Sequence, residues 1–209
     1  IIHPGIDVYE DFISQEDEEN VKKIIKNRKP IITTLARVEK RKGHKFIINA
    51  ISNLKDKFPN LVYLIAGKGP YLGEIKRYVK ELSLENHIIF LGWITEPEKS
   101  LILKNSEIFA MTPTTVGESV EGFGMAFIDA AFHGIPSVGS RSGGISDAII
   151  ENETGLLAEA GNQDEITKKL TELLEDVELR ARLGKRGKEI AESQYSWDNK
   201  IIEYLEAAK

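Results

Sequence analysis

Hydrophobic positions in this chain fall into short blocks, separated by longer stretches with a rhythm of three to four residues. Ile31-Ile32-Thr33-Thr34-Leu35-Ala36 is short and rich in β-branched side chains, which predicts a buried strand. Beyond His44 the apolar side chains recur at Phe46, Ile47, Ala50, Ile51, Leu54 and Phe58, which is one face of a helix. The alternation then repeats. Further strands are predicted at 61–66, 88–92, 107–111, 135–139 and 155–157. Helices are predicted over Tyr71 to Leu82, over 95–104, after Gly122 and Gly124, and after Gly144 to about Ile150. Ahead of the first strand, Glu16-Asp17-Glu18-Glu19 runs into Val21, and carboxylates favour a helix N-terminus, so a loop and then a short helix are predicted. From 163 to 209 the chain reads as helical, with breaks at Gly184, Gly187 and near Ser196.

Strand–helix alternation over six units predicts an α/β fold, a doubly wound parallel sheet of about six strands with helices on both faces and extra C-terminal helices. No linker, repeat or low-complexity segment divides it. Sheets of this Rossmann-like kind bind ligands outside the carboxyl ends of their strands, so the loops after strands are the places to search.

Composition narrows the field. Of 209 residues, 41% are hydrophobic and 29% charged, as in an ordinary globular protein. A net charge of −5 argues against a DNA-coating protein. With 0 cysteines, disulfides, cysteine–zinc sites and thiol chemistry are excluded, and a reducing cytoplasm is the default compartment. No uncharged apolar run approaches the ~18 residues of a membrane span, and no signal peptide is visible. The chain opens on Ile1 rather than Met, so a piece of something longer is expected.

The loop from Ala36 to Lys45 holds five Lys or Arg residues against one Glu, gathering positive charge at the ligand end of an acidic protein. It reads evenly as a phosphate site or as a solvated basic loop. Gly67-Lys68-Gly69-Pro70-Tyr71-Leu72 begins like a dinucleotide fingerprint but has Leu72 at the sixth position, so a tight turn with Pro70 starting a helix is preferred. No Gly-Lys-Ser/Thr occurs, which excludes a phosphate-loop NTPase.

The richest loop runs from Thr112 to Ala131. Gly122 and Gly124 precede a helix and would turn backbone N–H groups toward an anion. Glu121 would disfavour a phosphate touching it and more naturally faces hydroxyls. Asp129 lies eight residues on, about 12 Å along a helix, which is too far for a glycosidase pair and suits the two ends of a long polyhydroxy ligand. A helix cap and a surface carboxylate are the plainer alternatives. Gly143 and Gly144 offer further N–H groups, which could close on the same phosphate. The four histidines show no i, i+4 pairing and no Asp-x-Asp occurs, so no metal ligands are assigned.

In order, Arg37-x-x-x-x-Lys42-Gly43, Gly67-x-Gly69-Pro70, Phe90-Leu91-Gly92, Glu121-Gly122-Phe123-Gly124 and Gly143-Gly144 resemble the C-terminal half of retaining glycosyltransferases of family 4, of the GT-B fold. The resemblance divides the chain into an interdomain connector and first helix (1–30), a nucleotide-sugar-binding domain (31–195) and a C-terminal crossover helix (196–209), with the N-terminal acceptor domain absent. The connector match is Ile2-His3-Pro4-Gly5-Ile6-Asp7, and the final-helix match is Tyr195-Ser196-Trp197-Asp198.

The resemblance implies transfer of a hexose from a UDP- or GDP-sugar to an acceptor hydroxyl, with retention and without a metal or other cofactor. It puts Arg37 and Lys42 on the diphosphate, Glu121 by the donor sugar, and the backbone of Gly122, Phe123, Gly124 and Met125 near sugar and phosphate. Asp129, where the family has Glu, would hold the ribose. Gly67, Gly69, Gly92 and Trp93 would border the base. The Glu118-Ser119-Val120-Glu121 lead-in is similar to mannosyltransferase-like members and hints at GDP-mannose. The implied acceptor is a glycan, lipid or small molecule met through the missing domain, in the cytoplasm or on the inner membrane face, with no nucleic acid partner. A binding module without activity and a nucleotide-sugar epimerase of the same fold are the rival readings.

Overall fold

A computed structural model describes residues 5–6, 13–26, 28–115, 117 and 121–207. Six strands form one sheet: β1 (Ile31–Leu35), β2 (Val62–Ala66), β3 (Ile88–Gly92), β4 (Ile108–Ala110), β5 (Ser137–Arg141) and β6 (Gly155–Glu159). Every pairing is parallel and the order is β3-β2-β1-β4-β5-β6. Strand order reverses between β1 and β4, which opens a crevice where the loops that follow them part.

The two-residue period of the strands decides which helices cover which face. Ile32, Tyr63, Ile65, Ile108, Ala110, Leu156 and Ala158 point into one core with α2 (His44–Leu54), α3 (Leu72–Glu81) and α7 (Gln163–Glu175). Their neighbours Ile31, Val62 and Leu64 point the other way, against α1 (Gln15–Ile25) and α4 (Glu96–Lys104). Phe109 and Leu157 do the same beneath α5 (Met125–Phe132) and α6 (Ile145–Ala148). The strands are therefore buried on both faces, as the continuous apolar runs require.

Helix starts follow the caps. Ser14 and Asp17 form a capping box that begins α1, which is why the acidic run lies inside that helix. Thr95 and Glu98 do the same for α4. The fifth strand begins two residues later than predicted. Pro136 has no N–H to give a ladder, and the Ile135 N–H bonds back to the Ala130 carbonyl, so pairing starts at Ser137.

The C-terminal helices correct the sequence reading. Gly184 and Gly187 do not break the chain: α8 runs through both, from Val177 to Tyr195. The break falls at Asp176, whose side chain caps Leu179 N–H at 2.7 Å. A Cβ on Gly184 would lie 2.0 Å from the Gly134 carbonyl oxygen, so this glycine serves close helix packing rather than termination. The break near Ser196 is present, and α9 (Trp197–Ala207) follows. Ile6 bridges to Ser196 and its N–H donates to the Tyr195 carbonyl at 2.8 Å, so Ile6 meets the chain between α8 and α9. Ile2, His3, Pro4 and Asp7 of the connector match, and Glu118, Ser119 and Val120 of the lead-in, lie outside the described residues.

Candidate functional site

The crevice between β1 and β4 is lined by the basic loop on one side and the Glu121 loop on the other. The basic loop tightens into a 3₁₀ turn, Lys40–Lys42, closed by Gly43 at φ +77°. A Cβ on Gly43 would lie 1.9 Å from the Thr112 carbonyl oxygen, so only glycine lets the loops after β1 and β4 touch. Thr114 N–H donates to the Arg41 carbonyl at 2.8 Å and Thr112 Oγ1 to the Gly43 carbonyl at 3.2 Å.

That contact brings five charged side chains into one chain of ion pairs. Arg37 Nη1 meets Glu39 Oε1 at 3.1 Å, and Arg41 Nε meets Glu39 Oε2 at 3.0 Å. Arg41 Nη1 and Lys42 Nζ both reach Glu121 Oε2, at 2.7 and 2.5 Å. The Lys42 and Glu121 side chains are 10% and 12% exposed, whereas Arg37 is 74% exposed. Of the three residues drawn from the sequence, Lys42 and Glu121 touch, and Arg37 joins them through Glu39 and Arg41. Neither Glu39 nor Arg41 stood out in the sequence, where Arg41 was one of several basic residues in a row.

Glu121 is held from behind by the loop after β5. Gly144 N–H donates to the carbonyls of Glu121 and Gly122, at 3.2 and 2.8 Å. A Cβ on Gly143 or Gly144 would meet those carbonyl oxygens at 2.0 and 2.1 Å. The two glycines therefore let one loop lie on another, and the Gly144 N–H already has protein acceptors, contrary to the expectation that it turns to a phosphate. Gly124 (φ +81°) is the N-cap of α5 and makes no side-chain cap bond, and its carbonyl accepts from Phe127 N–H at 2.8 Å. The Phe123 ring packs 5.5 Å from the ring of Tyr195, anchoring this loop to α8.

A cavity of about 430 Å³ adjoins the basic loop at the carboxyl ends of β1, β2 and β3. Gly67, Gly92 and Trp93 line it together with Arg37, Lys68 and Lys99. Trp93 is 80% exposed at its rim. Gly69 is not among its lining residues. It sits instead under Val38, whose carbonyl oxygen would lie 2.3 Å from a Cβ there, and it lets the loops after β1 and β2 pair through Val38 N–H to Lys68 O at 3.0 Å.

Asp129 lies on α5 and pairs with Lys99 of α4 at 3.0 Å, with Glu96 on the same ammonium at 2.5 Å. Burial raises the Asp129 carboxyl above its ordinary value, with the Lys99 charge opposing. Burial also pulls the Lys99 ammonium down, but Asp129 and Glu96 outweigh it and the net direction is up. Each carboxylate of the pair seen in the sequence thus carries its own lysine. The Lys99 partnership was missed because α4 is far from α5 in sequence, and its only local signal was Glu96 three residues earlier.

Beneath the basic loop lies a buried polar chain. His44 Nδ1 meets Tyr63 Oη at 3.0 Å, Tyr63 Oη meets Thr34 Oγ1 at 2.7 Å, and Thr34 Oγ1 donates to the Ala110 carbonyl. His44 Nε2 is buried without a hydrogen-bond partner. Burial, reinforced by the Lys42 charge, lowers the His44 pKa from 6.5 to about 4, so the ring is neutral at pH 7. Among the described residues no group of three or more His, Asp or Glu side chains could hold a metal ion.

A doubly wound parallel sheet with a charged crevice at its switch point and a cavity beside it defines a Rossmann-like α/β domain. The chain belongs to the group 1 glycosyltransferases: the family model described as "Glycosyl transferases group 1" matches residues 15–190. A GDP-mannose-dependent alpha-(1-6)-phosphatidylinositol monomannoside mannosyltransferase of Mycolicibacterium smegmatis is 30% identical over 171 residues, 81% of this chain and 45% of that protein. The chain thus spans about half the length of the curated relatives it matches. Among solved structures, Anabaena HepE in complex with UDP-glucose superposes with a TM-score of 0.83 at 21% identity, over 100% of this chain and 57% of HepE. The C-terminal domain of the group 1 glycosyltransferase LpcC from Francisella tularensis superposes at 0.76 with 22% identity, over 92% of this chain and 100% of that domain. The fold is that of the C-terminal domain of GT-B glycosyltransferases.

Proposed function

We propose that this chain is the donor-binding half of a retaining glycosyltransferase that moves a hexose from a nucleotide-diphosphate sugar to an acceptor hydroxyl. The observation that carries this reading is the gathering of Arg37, Lys42 and Glu121 at the switch-point crevice of a group 1 domain. In the reaction the bond from the anomeric carbon to the diphosphate breaks, an acceptor oxygen takes its place, and the acceptor proton leaves with the diphosphate. Negative charge grows on the departing diphosphate. Lys42, fixed and mostly buried, and Arg37, exposed at the cavity rim, are the cations aimed at it, so no metal is required for that task. Glu121 takes sugar hydroxyls, Asp129 the ribose, and the cavity between Gly67 and Trp93 the base. The N–H groups of Phe123, Gly124 and Met125 face sugar and phosphate at the start of α5.

The donor is a UDP- or GDP-sugar. The mycolicibacterial relative is named for GDP-mannose and HepE is solved with UDP-glucose, so GDP-mannose and UDP-glucose are the first donors to try. The acceptor belongs to a second domain, against which α9 packs, and this chain alone binds donor without transferring sugar. Among the described residues no helix is long and apolar enough to cross a membrane. If the full-length protein acts on a lipid acceptor, it does so at the cytoplasmic membrane face. Calorimetry with UDP, GDP, UDP-glucose and GDP-mannose on this chain tests the donor site, and failure of all four refutes it. Labelled donors given to the full-length protein, with the anomeric configuration of the product determined, test transfer and retention. An isomerised donor would mark an epimerase instead, and binding with no product a module without activity.

A further inference from the structure

The pair between Lys42 and Glu121 sets a condition on what can bind. Both side chains are nearly nine-tenths buried, and their 2.5 Å contact is little screened by water or salt. In the empty site the buried lysine of the basic loop is already neutralised by a carboxylate. A bare diphosphate that takes Lys42 has to part it from Glu121, and it leaves that carboxylate with Arg41 as its remaining cation close to the incoming negative charge. A nucleotide sugar avoids this, because its hydroxyls donate to Glu121 while its phosphate oxygens accept from Lys42.

We propose that Glu121 determines specificity for the intact nucleotide sugar over the bare nucleoside diphosphate, by holding Lys42 until a sugar hydroxyl replaces it. The inference rests on the donor-site reading above. Arg41 makes the exchange possible. It bonds the same Glu121 oxygen at 2.7 Å and is tied at its other end to Glu39 at 3.0 Å, so a cation stays on Glu121 after Lys42 has left. Arg41 is thus a positioning residue, and product release is favoured because the departing diphosphate lets Lys42 return to its carboxylate.

The test is isothermal titration of this chain with UDP, GDP, UDP-glucose and GDP-mannose. Wild type prefers the matching sugar to its bare diphosphate. Glu121→Gln binds the bare diphosphate ~10-fold tighter than wild type and loses most of that preference, the order expected for one charged hydrogen bond. Arg41→Met moves the opposite way, weakening the bare diphosphate most, because Glu121 is then left to Lys42 alone. A folded Glu121→Gln, checked by its thermal midpoint, that binds diphosphate no tighter than wild type overturns the inference. Should Glu121→Gln not fold, Arg41→Met decides: weakened diphosphate binding supports the inference and unchanged binding overturns it. Wild type that binds none of the four ligands overturns the donor-site reading, and this inference with it.

Discussion

Lys42 and His44 stand two residues apart, and both are buried in different company. The Lys42 ammonium is fixed in direction by the Glu121 carboxylate, 2.5 Å away. Lys42→Ala in the full-length enzyme should lower turnover ~100-fold or more with a matching donor, the scale of losing one preorganised charge-stabilising donor. Unchanged kinetics would remove Lys42 from the reaction. His44 has no anion beside it, and burial holds it neutral with a pKa near 4. Its folded pKa lies below the unfolded value of about 6.5, so the unfolded chain takes the proton first. The contribution of this residue to stability is complete above pH 6.5, declines as pH falls from there, and levels off below about 4, a loss of about 3 kcal/mol in all. Urea unfolding from pH 7 to 4.5 should show this slope, and His44→Gln should flatten it. Lys42 and Glu121 were legible in the sequence through their motifs. Arg41 and Lys99 were not, because their partners lie about 80 and 30 residues away and only the fold brings them near.

At the scale of elements, α8 shows how one residue type serves two purposes. Gly184 and Gly187 both lie inside the helix on the side packed against α5 and the loop that follows it. At Gly184 the opposing atom is a backbone oxygen that cannot step aside, so Gly184→Ala should cost about 1–3 kcal/mol. At Gly187 the nearest atoms would lie 3.6 to 3.9 Å from a new Cβ, which is ordinary contact. Gly187→Ala should therefore gain up to about 1 kcal/mol from helix propensity alone. Thermal or denaturant midpoints of the two variants should move in opposite directions. The sequence reading expected both glycines to end a helix. A glycine that weakens a helix and one that admits a neighbouring chain look alike in one dimension. The true boundary, Asp176, carried a capping side chain, yet Asp is also common on helix surfaces.

For the whole molecule, α9 leaves apolar side chains uncovered. Ile201, Ile202 and Leu205 are 55%, 56% and 63% exposed, while α8 holds only its inner side. Replacing Ile201 and Leu205 together with Ser should shift the stability of this chain by no more than about 0.5 kcal/mol per site. In the full-length protein, where the proposed second domain covers α9, the same change should lower the melting temperature clearly. Equal small shifts in both would show that α9 stays uncovered.

The sequence by itself determined the strands, most of the helices, the parallel sheet and the kind of loop that carries the site. These follow from periods of two and about 3.6 residues, and from glycines and basic residues placed just after strands, all of which are local signals. Tertiary structure decided which charges meet. Glu121 reaches Lys42 only because β1 and β4 are neighbours at the switch point, because Gly43 lets their loops touch, and because Gly143 and Gly144 let the Glu121 backbone settle on them. Such contacts arise between residues far apart in sequence, and a pattern read along one dimension carries no distance between them.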